Sequence, residues 1–137
     1  MKLCYDGVTS GLTEQNTRDI EELVNSCPFA VMATNNKETG ARVSALNNLP
    51  GQSVNEYYFA TNLSSQKVKN IKEDATCEIM ITNGMGQIIM GGKVEIRTDT
   101  ETKKAKWQPW MPAHFKGAEA EDYCILKFTP STLRGVI

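Results

Sequence analysis

Histidine is almost missing from this 137-residue chain, cysteines are few and scattered, and neither sign of charge prevails. His114 is the one histidine, which excludes any metal site that draws two or more histidines from one chain. It would also be the sole base for a serine or cysteine nucleophile, and no Gly-x-Ser-x-Gly accompanies it. Cys4, Cys27, Cys77 and Cys124 form no Cys-x-x-Cys pair and have no histidine nearby, so reduced, mostly buried thiols are expected and no metal. Fifteen basic against sixteen acidic residues provide no overall field for nucleic acid or an anionic membrane. No apolar run approaches the roughly 20 residues of a membrane span, and MKLCYDGVTSG lacks a signal-peptide apolar region. The expectation is a soluble, cytoplasmic protein.

What is present suits one globular domain over residues 1–137: 40% apolar residues, 23% charged, ten glycines and five prolines. A chain of this length buries roughly two thirds of its unfolded surface, enough for a core without staples. Repeats, low-complexity tracts and long linkers are lacking.

After a polar leader, Thr13 is placed to cap a helix whose apolar positions Ile20, Leu23, Val24 and Cys27 follow helical spacing, and Pro28 stops it. Strands are expected at 29–34 and 41–49, joined as a hairpin, and at 56–61 after the Pro50-Gly51 turn. Ser64 or Ser65 caps a helix to about Glu73, with Val68 and Ile71 inward. Strands at 77–82 and 87–97 flank Asn83-Gly84-Met85-Gly86, a strong hairpin signal. Asp99 caps a helix toward Trp107, 108–122 is loop, and strands at 123–128 and 133–137 close the chain. Consecutive hairpins favour an antiparallel sheet that curls into a small β-barrel with helices outside. Gly91-Gly92 marks a bulge or a close backbone approach, and Met32, Met80, Met85 and Met90 read as core or interface. Lys67, Lys69 and Lys72, like Lys103, Lys104 and Lys106, sit among acidic residues and read as solvated faces, so no nucleic-acid partner is assigned.

Chemistry concentrates in Tyr57-Tyr58-Phe59-Ala60-Thr61-Asn62-Leu63-Ser64-Ser65-Gln66-Lys67, a strand running into a hydroxyl-rich turn and a helix start with lysine. Free amides, the helix dipole, hydroxyls and an ammonium together suit a phosphate. The same residues also suit a plain cap by Ser64 or Ser65 with Lys67 in solvent.

In order along the chain, Gly40-Ala41-Arg42-Val43-Ser44-Ala45-Leu46, then Phe59-Ala60-Thr61, Ser65-Gln66-Lys67 and Gln87-Ile88-Ile89-Met90-Gly91 resemble the pyridoxamine 5'-phosphate oxidase-like, FMN-binding split-barrel superfamily, especially its general-stress-protein-26-like members. The resemblance covers roughly residues 12–130. It implies a mainly β fold, an antiparallel Greek-key split β-barrel with flanking helices, and a homodimer with FMN at the subunit interface. By position, Ser65, Gln66 and Lys67 would hold the phosphate with Ser64 beside them, and Thr61 and Ala60 would lie near the ribityl chain or ring. Ser44, Ala45, Leu46 and Asn47 would line the isoalloxazine, Gln87 would reach a ring edge, and Trp107 and Trp110 would close the site with Met111, His114 and Phe115. Without FMN, 44–47 reads as an ordinary half-buried strand and the aromatic loop as a satellite core. Ala41 replaces the family's strand proline and Ser44 its arginine, leaving Arg42 as the nearby guanidinium. The C-terminal residues that vitamin B6 oxidases use are missing, so that reaction is not expected. No acid, base or nucleophile stands out, and no catalytic residue is assigned. The resemblance implies an oxidoreductase moving electrons or hydride from a reduced nicotinamide to a small acceptor. The alternatives are a non-catalytic flavin-binding stress or sensing protein, or a related barrel holding haem or a deazaflavin.

Overall fold

In the computed structural model, which describes residues 2–137, strands β1 (Leu3–Val8), β2 (Phe29–Asn36), β3 (Gly40–Asn47), β4 (Tyr57–Asn62), β5 (Thr76–Thr82), β6 (Gln87–Arg97) and β7 (Tyr123–Val136) form one antiparallel sheet. Helices α1 (Glu14–Ser26), α2 (Gln66–Glu73) and α3 (Thr100–Ala105) pack outside it. Thr13 starts α1 with a reciprocal cap: its Oγ1 accepts from Asn16 N at 3.1 Å, and Asn16 Oδ1 accepts from Thr13 N at 3.3 Å. At the other end Asn48 Nδ2 donates to Val24 O and Cys27 O at 2.7 and 2.9 Å, reinforcing the C-cap where Cys27 N also donates to Val24 O.

The strand order β1-β7-β6-β5-β2-β3 makes β7 the spine. One edge of β7 carries β6 from Ile125 to Val136; the other carries β4 along Tyr123–Phe128 and β1 from Thr132 onward. Inward side chains register across strands, as in the row Met32, Ile79, Met90 and Leu133, all buried. The curl brings β3 back beside β4, yet the two are not hydrogen-bonded, so the barrel stays split along that seam.

A second cluster, Leu49, Met111, Phe115, Tyr123 and Ile125, packs on the opposite face of β4 and β7 under the 106–122 loop. Lys103, 6% exposed, fastens that loop: its Nζ donates to Ala120 O at 2.7 Å, and Tyr123 Oη donates to Lys103 O at 2.8 Å.

The structure departs from the sequence expectation at both ends. The leader is a strand, β1, with no fully buried side chain, so it has no clean alternation to reveal it. The two expected C-terminal strands are one, β7, running through Pro130. Proline is tolerated because β4 starts opposite Phe128 and β1 ends opposite Thr132, so on that edge of β7 no strand stands beside Pro130 to miss its N–H. The register of β6 on β7 slips between Gly91 and Gly92, and a Cβ at Gly92 would lie 2.2 Å from Thr129 O. Bulge and close approach therefore occur together. Met32 and Met90 are core, Met80 is half-buried, and Met85 stands exposed on the β5–β6 turn. No helix among the described residues is long and apolar enough to cross a membrane.

Candidate functional site

The seam opens into a cleft of about 290 Å³. Ala45, Leu46 and Asn47 form the β3 wall, Ala60, Thr61 and Asn62 the β4 wall, Lys67 the α2 end, and Trp110, His114 and Phe115 the mouth. No carboxylate lines it.

The α2 end is built by the turn after β4. Asn62 Oδ1 accepts from Ser64 N at 2.8 Å and from Ser64 Oγ at 2.7 Å, and Ser65 N donates to Asn62 O at 3.0 Å. This asparagine turn swings the chain into α2. Ser65 occupies the N-cap with extended backbone, but its side chain makes no cap bond, and Ser65 Oγ is buried without a partner among the described residues. The first turn of α2 therefore presents amides that no side chain satisfies, at the positive end of the helix dipole.

Lys67 extends from that turn. Its Nζ donates to Thr61 Oγ1 at 3.4 Å, and it forms no ion pair among the described residues. Burial pushes its pKa below the ordinary lysine value. An ammonium partly withdrawn from water with no counter-ion among the described residues, beside a buried idle hydroxyl and uncapped amides, is chemistry that suits an anion.

At the mouth the Trp110 and His114 rings meet edge-on, 5.9 Å apart. Behind them Phe115 packs against Tyr123 at 4.9 Å. A larger hollow of about 720 Å³ lies among Lys104 and residues 116–122. It carries Glu119, Glu121 and Asp122, and Lys104 is already paired with Glu119 at 2.9 Å, so it offers no comparable receptor.

Of the residues expected from sequence, Ala45, Leu46, Asn47, Ala60, Thr61, Lys67 and Trp110 are brought together in the cleft. Ser44 pairs with Met32 on the interior face of β3. Ser64 is occupied by the asparagine turn, and Ser65 lies beneath the helix start. Gln66 Nε2 donates to Asn70 Oδ1 at 2.9 Å within α2. Trp107 packs edge-on against Tyr123, 5.3 Å away in the second cluster, outside the cleft. Gln87 stands opposite Thr82 and Val136, away from the cleft. Asn62 is not singled out by sequence; its signal is the Asn-x-Ser step that ends β4.

Comparison with known proteins gives a family and a fold. The family described as Pyridoxamine 5'-phosphate oxidase matches residues 17–137. No curated protein matches the chain. Among solved structures, a Clostridium acetobutylicum protein related to general stress protein 26 is 20% identical, with a TM-score of 0.81 over 91% of this chain and 90% of that one. General stress protein 26 from Bacillus anthracis is 16% identical, with a TM-score of 0.77 over 88% and 92%. A putative 5-nitroimidazole antibiotic resistance protein from Bacteroides thetaiotaomicron is 14% identical, with a TM-score of 0.72 over 97% and 89%.

Proposed function

The chain belongs to the pyridoxamine 5'-phosphate oxidase family, and from that premise we propose that it is an FMN-binding flavoprotein passing electrons or hydride from a reduced nicotinamide to a small acceptor. The observation that carries the reading is Lys67: a half-buried cation without an ion pair among the described residues, at the uncapped start of α2. A phosphate dianion supplies the missing counter-charge and accepts from the free amides. The residues fit the group, since the buried Ser65 hydroxyl and Thr61 Oγ1 are further donors beside it. Ala45, Leu46, Asn47 and Ala60 provide a flat, small-residue wall for a ring, and Trp110 covers it.

Bound FMN would supply the hydride and one-electron chemistry. The chain's share is to grip the phosphate with Lys67, hold the ring in the seam and restrict water with Trp110 and Phe115. His114, at the mouth, is the one imidazole available to donate a hydrogen bond to an incoming acceptor.

The reading includes a homodimer. The outer face of the sheet carries the cross-strand row Ala45, Val31, Met80 and Ile89, flanked by Phe29 at 59% and Val43 at 72% exposure. Such an apolar face suits a second copy. Gln87 and Asn47 lie on the same face as Phe29, two residues from that row, so Gln87 belongs to the interface in this arrangement.

The absorbance spectrum of the purified protein, with its solution mass, is the test. A yellow dimer holding one FMN per chain supports the reading, and Val43→Glu with Phe29→Glu should then yield a colourless monomer. A colourless protein that FMN cannot reconstitute overturns it, and a Soret band would assign haem instead. Stopped-flow mixing with NADH or NADPH separates an enzyme from a flavin-holding sensor, for which no reduction occurs.

A further inference from the structure

We propose that Gln52 is a positioning residue for the seam, its side-chain amide standing in for a β-strand on the free edge of β4 and leaving the next backbone pair, at Ala60, open to a ligand. This rests on the reading of the cleft as a cofactor site. Gln52 lies in the connection between β3 and β4 and is only 3% exposed. Its Oε1 accepts from Tyr58 N at 2.8 Å, and its Nε2 donates to Tyr58 O at 2.7 Å. Both backbone groups of one residue are met by one amide, the pattern a neighbouring strand would provide.

The amide is itself held on every side. Nε2 also donates to Asn48 Oδ1 at 3.0 Å. Gln52 N donates to Asn25 Oδ1 and Asn25 Nδ2 donates to Gln52 O, each at 3.1 Å, which anchors the loop to the last turns of α1. Asn48 reaches the same helix end through Val24 O and Cys27 O.

Because Tyr58 turns its N–H and C=O away from β7, the two-residue repeat turns those of Ala60 the same way, into the cleft. β3 does not pair with β4, so these groups have no strand partner. One donor and one acceptor side by side fit the edge of a planar heterocycle that presents the complementary acceptor and donor, as an amide or imide ring does. Gln52 ends the seam one pleat repeat earlier and prevents β3 from zipping onto β4.

Amide hydrogen exchange on the ligand-free protein, followed by FMN titration of the holoprotein-forming chain, tests this with Gln52→Leu and Gln52→Glu. In the wild type the Tyr58 amide should be protected, and the Ala60 amide should exchange freely until FMN is added. Gln52→Leu should expose the Tyr58 amide, weaken FMN binding about tenfold or more, and move the bound flavin's visible bands toward those of free FMN. If Gln52→Leu does not fold, Gln52→Glu carries the test: it keeps the acceptor for Tyr58 N, so that amide stays protected, and loses the donor for Tyr58 O, so weaker FMN binding and the shift of the flavin bands are expected. Equal protection of both amides in the wild type overturns the inference, as does wild-type affinity with an unchanged flavin spectrum in a folded variant. A wild type that takes up no flavin overturns the cofactor reading instead, while the Tyr58 and Ala60 contrast still judges Gln52.

Discussion

Replacing Lys67 by methionine should have two effects of opposite sign, and the pair distinguishes a ligand site from a structural lysine. Charge-assisted hydrogen bonds contribute about 1.5–3 kcal/mol, so Lys67→Met should weaken FMN roughly 10- to 150-fold. Lys67→Ala should lose about 1–3 kcal/mol by the same argument. The ligand-free protein should instead gain stability, because the ammonium is half-buried with no ion pair and desolvation lowers its pKa. The sign follows from proton counting. The folded pKa lies below the unfolded one, so between them the unfolded chain binds more protons and stability rises with pH. Below both values the penalty is constant, and methionine removes it. Affinity runs the other way, falling as pH rises through the depressed Lys67 pKa, since only the ammonium pairs with phosphate. Fluorescence titration of FMN into ligand-free protein, and thermal melts of the same samples from neutral to alkaline pH, read both effects. Unchanged FMN affinity in Lys67→Met would refute the phosphate placement; a destabilised ligand-free variant would show that the lysine serves the fold.

Three further outcomes test the fold around the site. A Cβ at Gly92 meets the Thr129 carbonyl at 2.2 Å, whereas one at Gly91 meets the Thr132 hydroxyl at 2.9 Å. Backbone cannot yield as a side chain can, so urea unfolding should show Gly92→Ala losing about 2–4 kcal/mol and Gly91→Ala less than about 1; equal losses would contradict the bulge geometry. Asp99 caps α3, its Oδ2 accepting from Thr102 Oγ1 and Thr102 N at 2.7 and 2.9 Å, and these bonds, aided by Arg97, lower its pKa from 3.8 to about 2. This contribution is present above the unfolded pKa and lost as pH falls through the folded one, so the melting temperatures of wild type and Asp99→Ala should differ at pH 6 and draw together toward pH 2; a constant gap would refute it. The Tyr57 hydroxyl is buried without a partner among the described residues while its ring packs 6.2 Å from Phe128. Tyr57→Phe should keep the packing and stabilise by about 1 kcal/mol in chemical denaturation; a loss would reveal a partner for the hydroxyl.

Sequence reveals what is local. Thr13 and the helical spacing of Ile20, Leu23, Val24 and Cys27 announce α1, and the start of β6 at Gln87 follows from the Asn83-Gly84 turn, where Gly84 has φ +88° and Asn83 Oδ1 accepts from Met85 N and Gly86 N. The residues that build the turn after β4 are local too, although the segment alone suits a plain helix cap as well as a phosphate, and only the family resemblance singles out Thr61 and Lys67. What depends on distant partners is not legible. β1 exists because β7 offers it an edge, and β7 continues through Pro130 because its neighbours on that edge leave a gap there. Gln52 reads as one more loop amide until β4 arrives beside it. Gln87, inferred only from a family resemblance, lies outside the cleft, and only in the proposed dimer would it reach one.

The seam joins these observations physically. A sheet edge with unpaired N–H and C=O groups invites aggregation, and full closure of the barrel would remove it. This chain closes only part of it. Gln52 satisfies Tyr58 at one end, and at the other the Ala60 wall stays open where α2 directs its uncapped first turn and Lys67 into the gap. Under the proposed function, a flat ring with an anionic tail would meet donors, a cation and apolar walls together between β3 and β4, beneath Trp110 and Phe115. The place where the barrel fails to close is therefore the one place where backbone edge, positive charge and shelter coincide. Pairing Ala60 with β3, as Gln52 pairs Tyr58, would stabilise the sheet and close the proposed site.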